Sequence, residues 1–530
     1  MYLDSRVTGT SGLSTSYLLS AIALAILLIA CVNFMNLSIG LSSVRSMEVG
    51  MRKVLGAGRR QLAWQFMGEA LLTSLLAVGL GLFLTELLLP SFNGLAGKEL
   101  SLSSMFSGFH MLALLGMAVC TGLFAGSYPA FVMSAFRPVD IMRGKLKVGG
   151  RTTLTKGLVV LQFALSVALA VSAVVLGRQA SFLINRDPGY ASQGLVVILT
   201  QENELEASER LYQRFRSEIL ADSRVRAVTA SNREFGLFLP QTSLELGERR
   251  IPYNFNRVDA DFVSAMELRL VRGRDFSPNA SEQNAVIVNQ TFVDELGPDF
   301  ALDRPLGDIS RGFPYNCRII GVVADSHVRS LRSEIAPLLL YVGRGAAPDR
   351  DRFSRVFVRI DSSRLQETMG HLETSWKKTS PDKPFIHYFQ DDALESLYGS
   401  ERRWSLIIRY AFVFSLLLAC LGIFGLTAMS LRRREKEIGI RKVLGAGMGQ
   451  IVAMTLREYV VLTTAANLIA WPFVYFVLRR VLQRYPYRIS IAPHYFLLAG
   501  AFSILVAVLT ILLLSFRAAA ANPVDSLRCE

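Results

Sequence analysis

Seven stretches of the chain are apolar almost throughout: about 17–39, 63–90, 109–134, 157–177, 406–430, 455–478 and 495–516. A helix needs roughly 20 mostly apolar residues to cross a bilayer. Four of the runs lie toward the N-terminus and three toward the C-terminus. Between them, residues 184–403 change character. Short strand-like runs ("GLVVILT", "VRAVTAS", "NAVIVN", "RIIGVVAD", "FSRVFVRI", "PFIHYF") alternate with segments of helical spacing ("SERLYQRFRSEIL", "SRLQETMGHLETSWKK"). The pattern predicts a polytopic α-helical membrane protein with one α/β (α+β) domain between two groups of spans. Residues 1–16 lack the basic start and cleavage site of a secretory signal, and the first apolar run is too long for a signal core, so it is expected to stay in the membrane.

Charge orients this map. The formal net charge is +14, and much of the excess sits in short loops. Loops 40–60, 135–156 and 431–450 are rich in Lys and Arg, whereas 91–108 holds only Lys98. The first three are therefore read as cytoplasmic and the last as external. One loop disagrees: 479–494 carries Arg479, Arg480, Arg484 and Arg488, yet the parity of the spans puts it outside. The resulting expectation is a multi-pass plasma (inner) membrane protein, with the N-terminus and 184–403 outside and the C-terminus inside. The positive charge is then topology plus attraction to anionic membrane lipid, and "RRREKE" is not read as a nucleic-acid patch.

A repeat runs through the helical part. "EVGMRKVLGAG" at 48–58 returns as "EIGIRKVLGAG" at 437–447, with nine of eleven positions identical and an offset of 389. At the same offset Ala30-Cys31 matches Ala419-Cys420, Leu37 matches Leu426, Arg45 matches Arg434 and Glu69 matches Glu458. "FRPVDIMRG" at 136–144 resembles "ANPVDSLRC" at 521–529. Each copy is helix, basic phrase, helix, outside loop, helix and a Pro-Val-Asp ending. The domains expected are a first permease-like repeat at 17–144, a span at 157–177 leading into the outer domain 184–403, and a second repeat at 406–527. Residues 1–16 read as the tail of a similar outer domain, so a preceding span and outer domain are expected upstream.

The phrase is read as a short helix. Arg45, Glu48 and Arg52 stand at i, i+3 and i+7 on one face, and Arg434, Glu437 and Arg441 repeat the ladder. Each such pair supports a helix by about 0.2–0.5 kcal/mol. Gly50 and Gly439 oppose it by roughly 1 kcal/mol each relative to Ala, which suggests close approach by another backbone. Gly56 and Gly445 can end the helix at positive φ. Lys53 and Lys442 complete the basic set. These twelve residues are the candidate docking surfaces for a partner that is itself two-fold, against the alternative of an ordinary interfacial helix with snorkelling basic residues. Glu69 and Glu458, near the cytoplasmic ends of spans, are read as anchors against the basic loops, with a proton relay as the other reading.

These residues resemble the ABC-transporter permeases of the MacB/FtsX-like superfamily. The resemblance rests on "NFMNLSIGLSSVRSMEVGMRKVLGAG", "LGIFGLTAMSLRRREKEIGIRKVLGAG", the Pro-Val-Asp endings and "GLVVLQFALSVALA" before the central domain. Inside that domain, "VDADFVSAMELRLVRGRDFS", "AVIVNQTFVDELG" and "IIGVVADSHVRSLR" are similar to the MacB-like periplasmic core domain. The resemblance implies two FtsX-like repeats and a separate cytoplasmic ATPase dimer that binds the ATP and Mg. It also implies mechanical transmission to the outer domain. It leaves open a periplasmic adaptor or an envelope enzyme as a further partner.

No phosphate loop, H-E-x-x-H or G-x-S-x-G motif occurs, so no catalytic residue and no cofactor are expected in this chain. His110, His327, His371, His387 and His494 are scattered, and Cys31, Cys120, Cys317, Cys420 and Cys529 lack metal or redox spacing, so no metal site is expected. Two functions stay open: a subunit for export or extraction of an envelope substrate, and a non-transporting scaffold that regulates an envelope enzyme.

Overall fold

The computed structural model describes residues 12–520 apart from 42–45, 97–98, 107, 135–148, 238, 278–283, 298–299, 307–316, 344–351, 434–436, 438–439, 442–443 and 445. The Pro-Val-Asp endings, Arg45, Arg434, Gly439, Lys442 and Gly445 thus lie outside the described residues. The chain divides into two units, one of residues 1–178, 403–480 and 490–530, the other of 179–402 and 481–489.

The first unit is helical. Its elements are α1 (Gly12–Leu41), α2 (Ser46–Val54), α3 (Arg59–Ala96), α4 (Gly108–Ser134) and the greater part of α5 (Gly149–Ile184). In the second repeat, using labels that follow chain order, they are α11 (Gly399–Arg433), α12 (Met448–Leu482) and α13 (Pro493–Ala520). Among the described residues seven helices are long and apolar enough to cross a membrane, each on one of the seven apolar runs. Their helices outlast the runs because polar residues continue the turns: α5 extends from Gly149 to Ile184 around the run at 157–177.

Small residues let these helices approach. Gly122 and Gly126 of α4 stand four apart, and a Cβ on either would meet α3, at 3.0 Å from the Leu71 Cα and 2.5 Å from the Ala70 Cβ respectively. This is the small-xxx-small device of membrane helix pairs, where close backbones take the place of a hydrophobic driving force. Val159 and Phe163 of α5 pack with Ala419 and Ile423 of α11 and with Ala507 and Ile511 of α13.

The second unit carries two sheets. The first holds β1 (Leu195–Leu199), β2 (Val225–Ser231), β9 (Arg355–Ile360) and β10 (His387–Phe389), antiparallel, in the order β10-β1-β9-β2. Helices α6 (Leu205–Ile219) and α9 (Leu365–Thr379) connect the outer pairs, giving a β-α-β-β-α-β arrangement. Between β2 and β9 the chain inserts a mixed sheet of β3 (Gln241–Leu246), β4 (Arg249–Arg257), β5 (Leu270–Gly273), β6 (Ala285–Asn289), β7 (Arg318–Val323) and β8 (Leu338–Tyr341), in the order β3-β4-β8-β6-β7-β5. The short helices α7 (Phe262–Ala265) and α8 (Gln290–Leu296) lie within that insertion, and α10 (Gln390–Leu397) follows β10.

The apolar run at 194–200 does not alternate because β1 is covered on both faces. Leu195 and Val197 enter one core with Phe235, Phe262 and Phe357. Val196 and Ile198 enter another, under α6 and α9, where the Phe215 and Trp376 rings meet edge-on at 5.1 Å. Full burial of each such side chain contributes about 1.5–3 kcal/mol.

The expected outer domain of 184–403 takes in more chain than its pattern indicated. The last turns of α5 belong to it, as does the loop 481–489 between α12 and α13. Gln179, 2% exposed, fixes that loop. Its Nε2 donates to the Tyr487 carbonyl at 2.8 Å, and its Oε1 accepts from the Ile489 N–H at 3.0 Å.

Candidate functional site

The repeated phrase folds as the short helix α2 in the first copy. Val49 is its buried anchor, packed with Leu62, Ala57 and Phe66. Lys53 Nζ donates to the Ser134 carbonyl at 2.6 Å and ties α2 to the end of α4. Burial, and then the charge of Arg59, hold the Lys53 ammonium below its usual range. The helix closes at Gly56, whose φ of +98° favours glycine, and the Ala57 N–H returns to the Arg52 carbonyl at 2.9 Å.

Arg52 is the joint of this site. One guanidinium nitrogen pairs with Glu48, one turn back, at 2.7 Å, and the other donates to Gln65 Oε1 on α3 at 2.5 Å. The second copy repeats the construction. Arg441 pairs with Glu437 at 2.7 Å, reaches Met454 Sδ at 2.9 Å, and receives the Ala446 N–H on its carbonyl at 2.9 Å. Met454 is the repeat equivalent of Gln65, and Ala446 that of Ala57. The local geometry is therefore preserved even where the second partner is not.

Gly50 is buried in α2. The exposed face of the helix is apolar. Met51 and Leu55 are 62% and 84% exposed, and their repeat equivalents Ile440 and Leu444 are 54% and 80% exposed. Sequence reading passed over these four because it weighed charges and glycines. The signal was the pairing of apolar residues at i and i+4 beside a basic ladder, at the same offset in both copies. Of the two glutamates, Glu458 pairs with Lys156 at the start of α5 at 2.9 Å, and Glu69 accepts from Gln65 Nε2 at 3.3 Å.

The copies also meet inside the helical unit. Asn33 on α1 and Gly422 on α11 are repeat equivalents, and a Cβ on Gly422 would stand 2.8 Å from Asn33 Oδ1. A position that contacts its own equivalent marks a local two-fold relation between α1 and α11. The neighbouring α11 glycine, Gly425, admits the Leu37 side chain.

Comparison with known proteins follows the same division. The model of the FtsX-like permease C-terminal region matches residues 20–138 and again 410–523, starts that lie 390 residues apart. That of the MacB-like periplasmic core domain matches residues 157–371. The ABC transporter permease YknZ of Bacillus subtilis is 35% identical over 288 residues, 52% of this chain and 70% of that one. The chain belongs to the FtsX-like ABC transporter permeases. Within this family it is also similar to the permease YvrN of Bacillus subtilis, 25% identical over 52% of this chain and 69% of that one. The macrolide export ATP-binding/permease protein MacB of Chromobacterium violaceum is 26% identical over 52% of this chain and 43% of its own. The chain thus spans less than half the length of that relative. It is a multi-pass membrane protein with two FtsX-like repeats and a MacB-like core domain.

Proposed function

We propose that this permease couples ATP hydrolysis by a separate cytoplasmic ATPase dimer to movement of its sheet unit outside the plasma membrane, for export or extraction of an envelope substrate. The observation that carries the reading is the doubled joint: Arg52 and Arg441 make equivalent pairs with Glu48 and Glu437, and each copy of the phrase presents an exposed apolar pair to solvent. A two-fold partner offers two equivalent grooves, and a pseudo-symmetric chain fills both. Apolar anchors rimmed by basic residues are the usual anatomy of such a contact.

The span map supports the sidedness. Helix α11 begins at Gly399, next to the sheet unit, and leads toward the second basic phrase. Helix α12 begins just after that phrase, and its last residues join loop 481–489 of the sheet unit. A 35-residue helix such as α12 is about 50 Å long at 1.5 Å per residue, enough to cross a bilayer. This favours the external placement of loop 479–494 over its arginine count.

The test is purification of the chain with and without a co-expressed ATP-binding subunit, reconstituted in vesicles. The reading expects no hydrolysis from the chain alone and ATPase activity from the complex. Robust hydrolysis by the chain alone would contradict it.

A further inference from the structure

The sheet unit contains a cleft of about 530 Å³ that the coupling function does not use, within the range of ligand-binding pockets. It begins where a membrane span ends: Leu183 and Ile184, the last residues of α5, line it, and Arg186 follows them into it. Arg329 lines it as well. From α10 come Asp391, Leu394 and Glu395, whose spacing of i, i+3 and i+4 places them on one helix face. The cleft therefore holds two guanidinium groups, a pair of carboxylates one turn apart, a third carboxylate at Asp187, and apolar side chains at the end of a span.

Its charged groups are held in position. The Arg186 guanidinium lies 4.2 Å from the Tyr487 ring centroid and 5.5 Å from that of Phe182. Glu395 Oε1 accepts from Arg402 at 2.5 Å. Burial, reinforced by the Arg186 charge, pushes His327 down to about 4, so this lining imidazole adds no cation at neutral pH.

We infer that this cleft binds the headgroup of an aminophospholipid, with its phosphate on Arg186 and Arg329 and its primary ammonium on Asp391 and Glu395. Glu395 already pairs with Arg402, so a purely anionic headgroup would leave Asp391 without a cation among the described residues, and a quaternary ammonium has no N–H to donate to it. The apolar residues at the end of α5 suit the glycerol and upper acyl carbons, and basic pockets at membrane boundaries are known headgroup sites. The inference rests on the reading of α5 as a membrane span and not on ATPase coupling, so failure of either test leaves the other standing.

The test uses the whole chain in nanodiscs of phosphatidylethanolamine, phosphatidylglycerol and phosphatidylcholine in equal amounts, followed by native mass spectrometry of the lipids retained. The expected result is enrichment of phosphatidylethanolamine by about threefold over the other two, the size of one exposed ion pair. Asp391→Asn with Glu395→Gln should return the ratio to that of the bulk, and Arg186→Gln with Arg329→Gln should do the same. Asp391→Asn alone, which leaves the Glu395–Arg402 pair in place, should still lower the enrichment, and this guards against misfolding of the double variant. Added phosphoethanolamine should displace the lipid and inorganic phosphate should not. Bulk ratios in the wild type, unchanged enrichment in the carboxamide variants, or displacement by phosphate alone would each overturn the proposal.

Discussion

Asn33 and Gly422 occupy one position in two repeats 389 residues apart, and they face each other. A side chain at Gly422 would also come within 3.3 Å of the Gln162 amide on α5. Gly422→Val is therefore expected to overpack this junction and cost about 1–3 kcal/mol, read as a lower midpoint in thermal unfolding of the detergent-solubilised protein. Gly79→Ala, at a position inside α3 with open space around the added methyl, should not lower the midpoint, since alanine favours the helix. An equal loss in both would remove the junction's significance.

Asn36, fully buried on α1, has neither amide atom partnered among the described residues. An unpaired buried polar group costs about 1–3 kcal/mol, and an apolar replacement of similar size relieves that cost. Asn36→Leu should raise the unfolding midpoint. A lowered midpoint would mean that the amide is bonded in the membrane-embedded protein.

Gln179 makes both of its side-chain hydrogen bonds to the backbone of loop 481–489. Gln179→Leu leaves the Tyr487 carbonyl and the Ile489 N–H without that partner. Hydrogen exchange should show faster exchange at Ile489, by roughly tenfold for a loss of about 1.4 kcal/mol, with the strands β1 and β9 unaffected. Unchanged protection at Ile489 would show that the loop is held elsewhere.

His327 gives the sheet unit a pH dependence. Its folded value of about 4 lies below the ordinary 6.5, so between those values the unfolded chain binds a proton that the folded chain does not. Stability from this group is complete above pH 6.5, falls as pH drops toward 4, and levels off below it; the full change is about 3 kcal/mol. His327→Gln should flatten the unfolding free energy between pH 6.5 and 4. A slope identical to the wild type would assign the effect to other groups.

Much of this architecture was readable from the chain, for physical reasons that differ by element. The seven spans were legible because lipid requires long apolar runs with internally satisfied backbones. The strands β1, β2, β6, β7 and β9 were legible as β-branched runs, and β10 by its aromatic residues. The hairpin β3–β4 was not singled out, since "TSLELGERRIPYNFN" mixes charge with alternation and its first strand is an exposed edge. Loop 481–489 was read by its arginines, whereas its place depends on Gln179, some 300 residues earlier, and no local pattern carries that contact. The repeat exposed the Arg52 and Arg441 ladder.

The central claim is that the two copies of the basic phrase are equivalent docking surfaces, and the exposed apolar pairs test it most directly. Leu55→Glu and Leu444→Glu each place a charge at a solvent-exposed position, where such changes usually alter stability by about 0.5 kcal/mol or less. The measurement is the ATPase rate and co-purification of the reconstituted complex with its ATP-binding subunit. The account predicts normal membrane insertion, partial loss of stimulated ATPase activity in each single variant, and near-complete loss of activity and co-purification in the double variant. Wild-type coupling in the Leu55→Glu, Leu444→Glu double variant would contradict it.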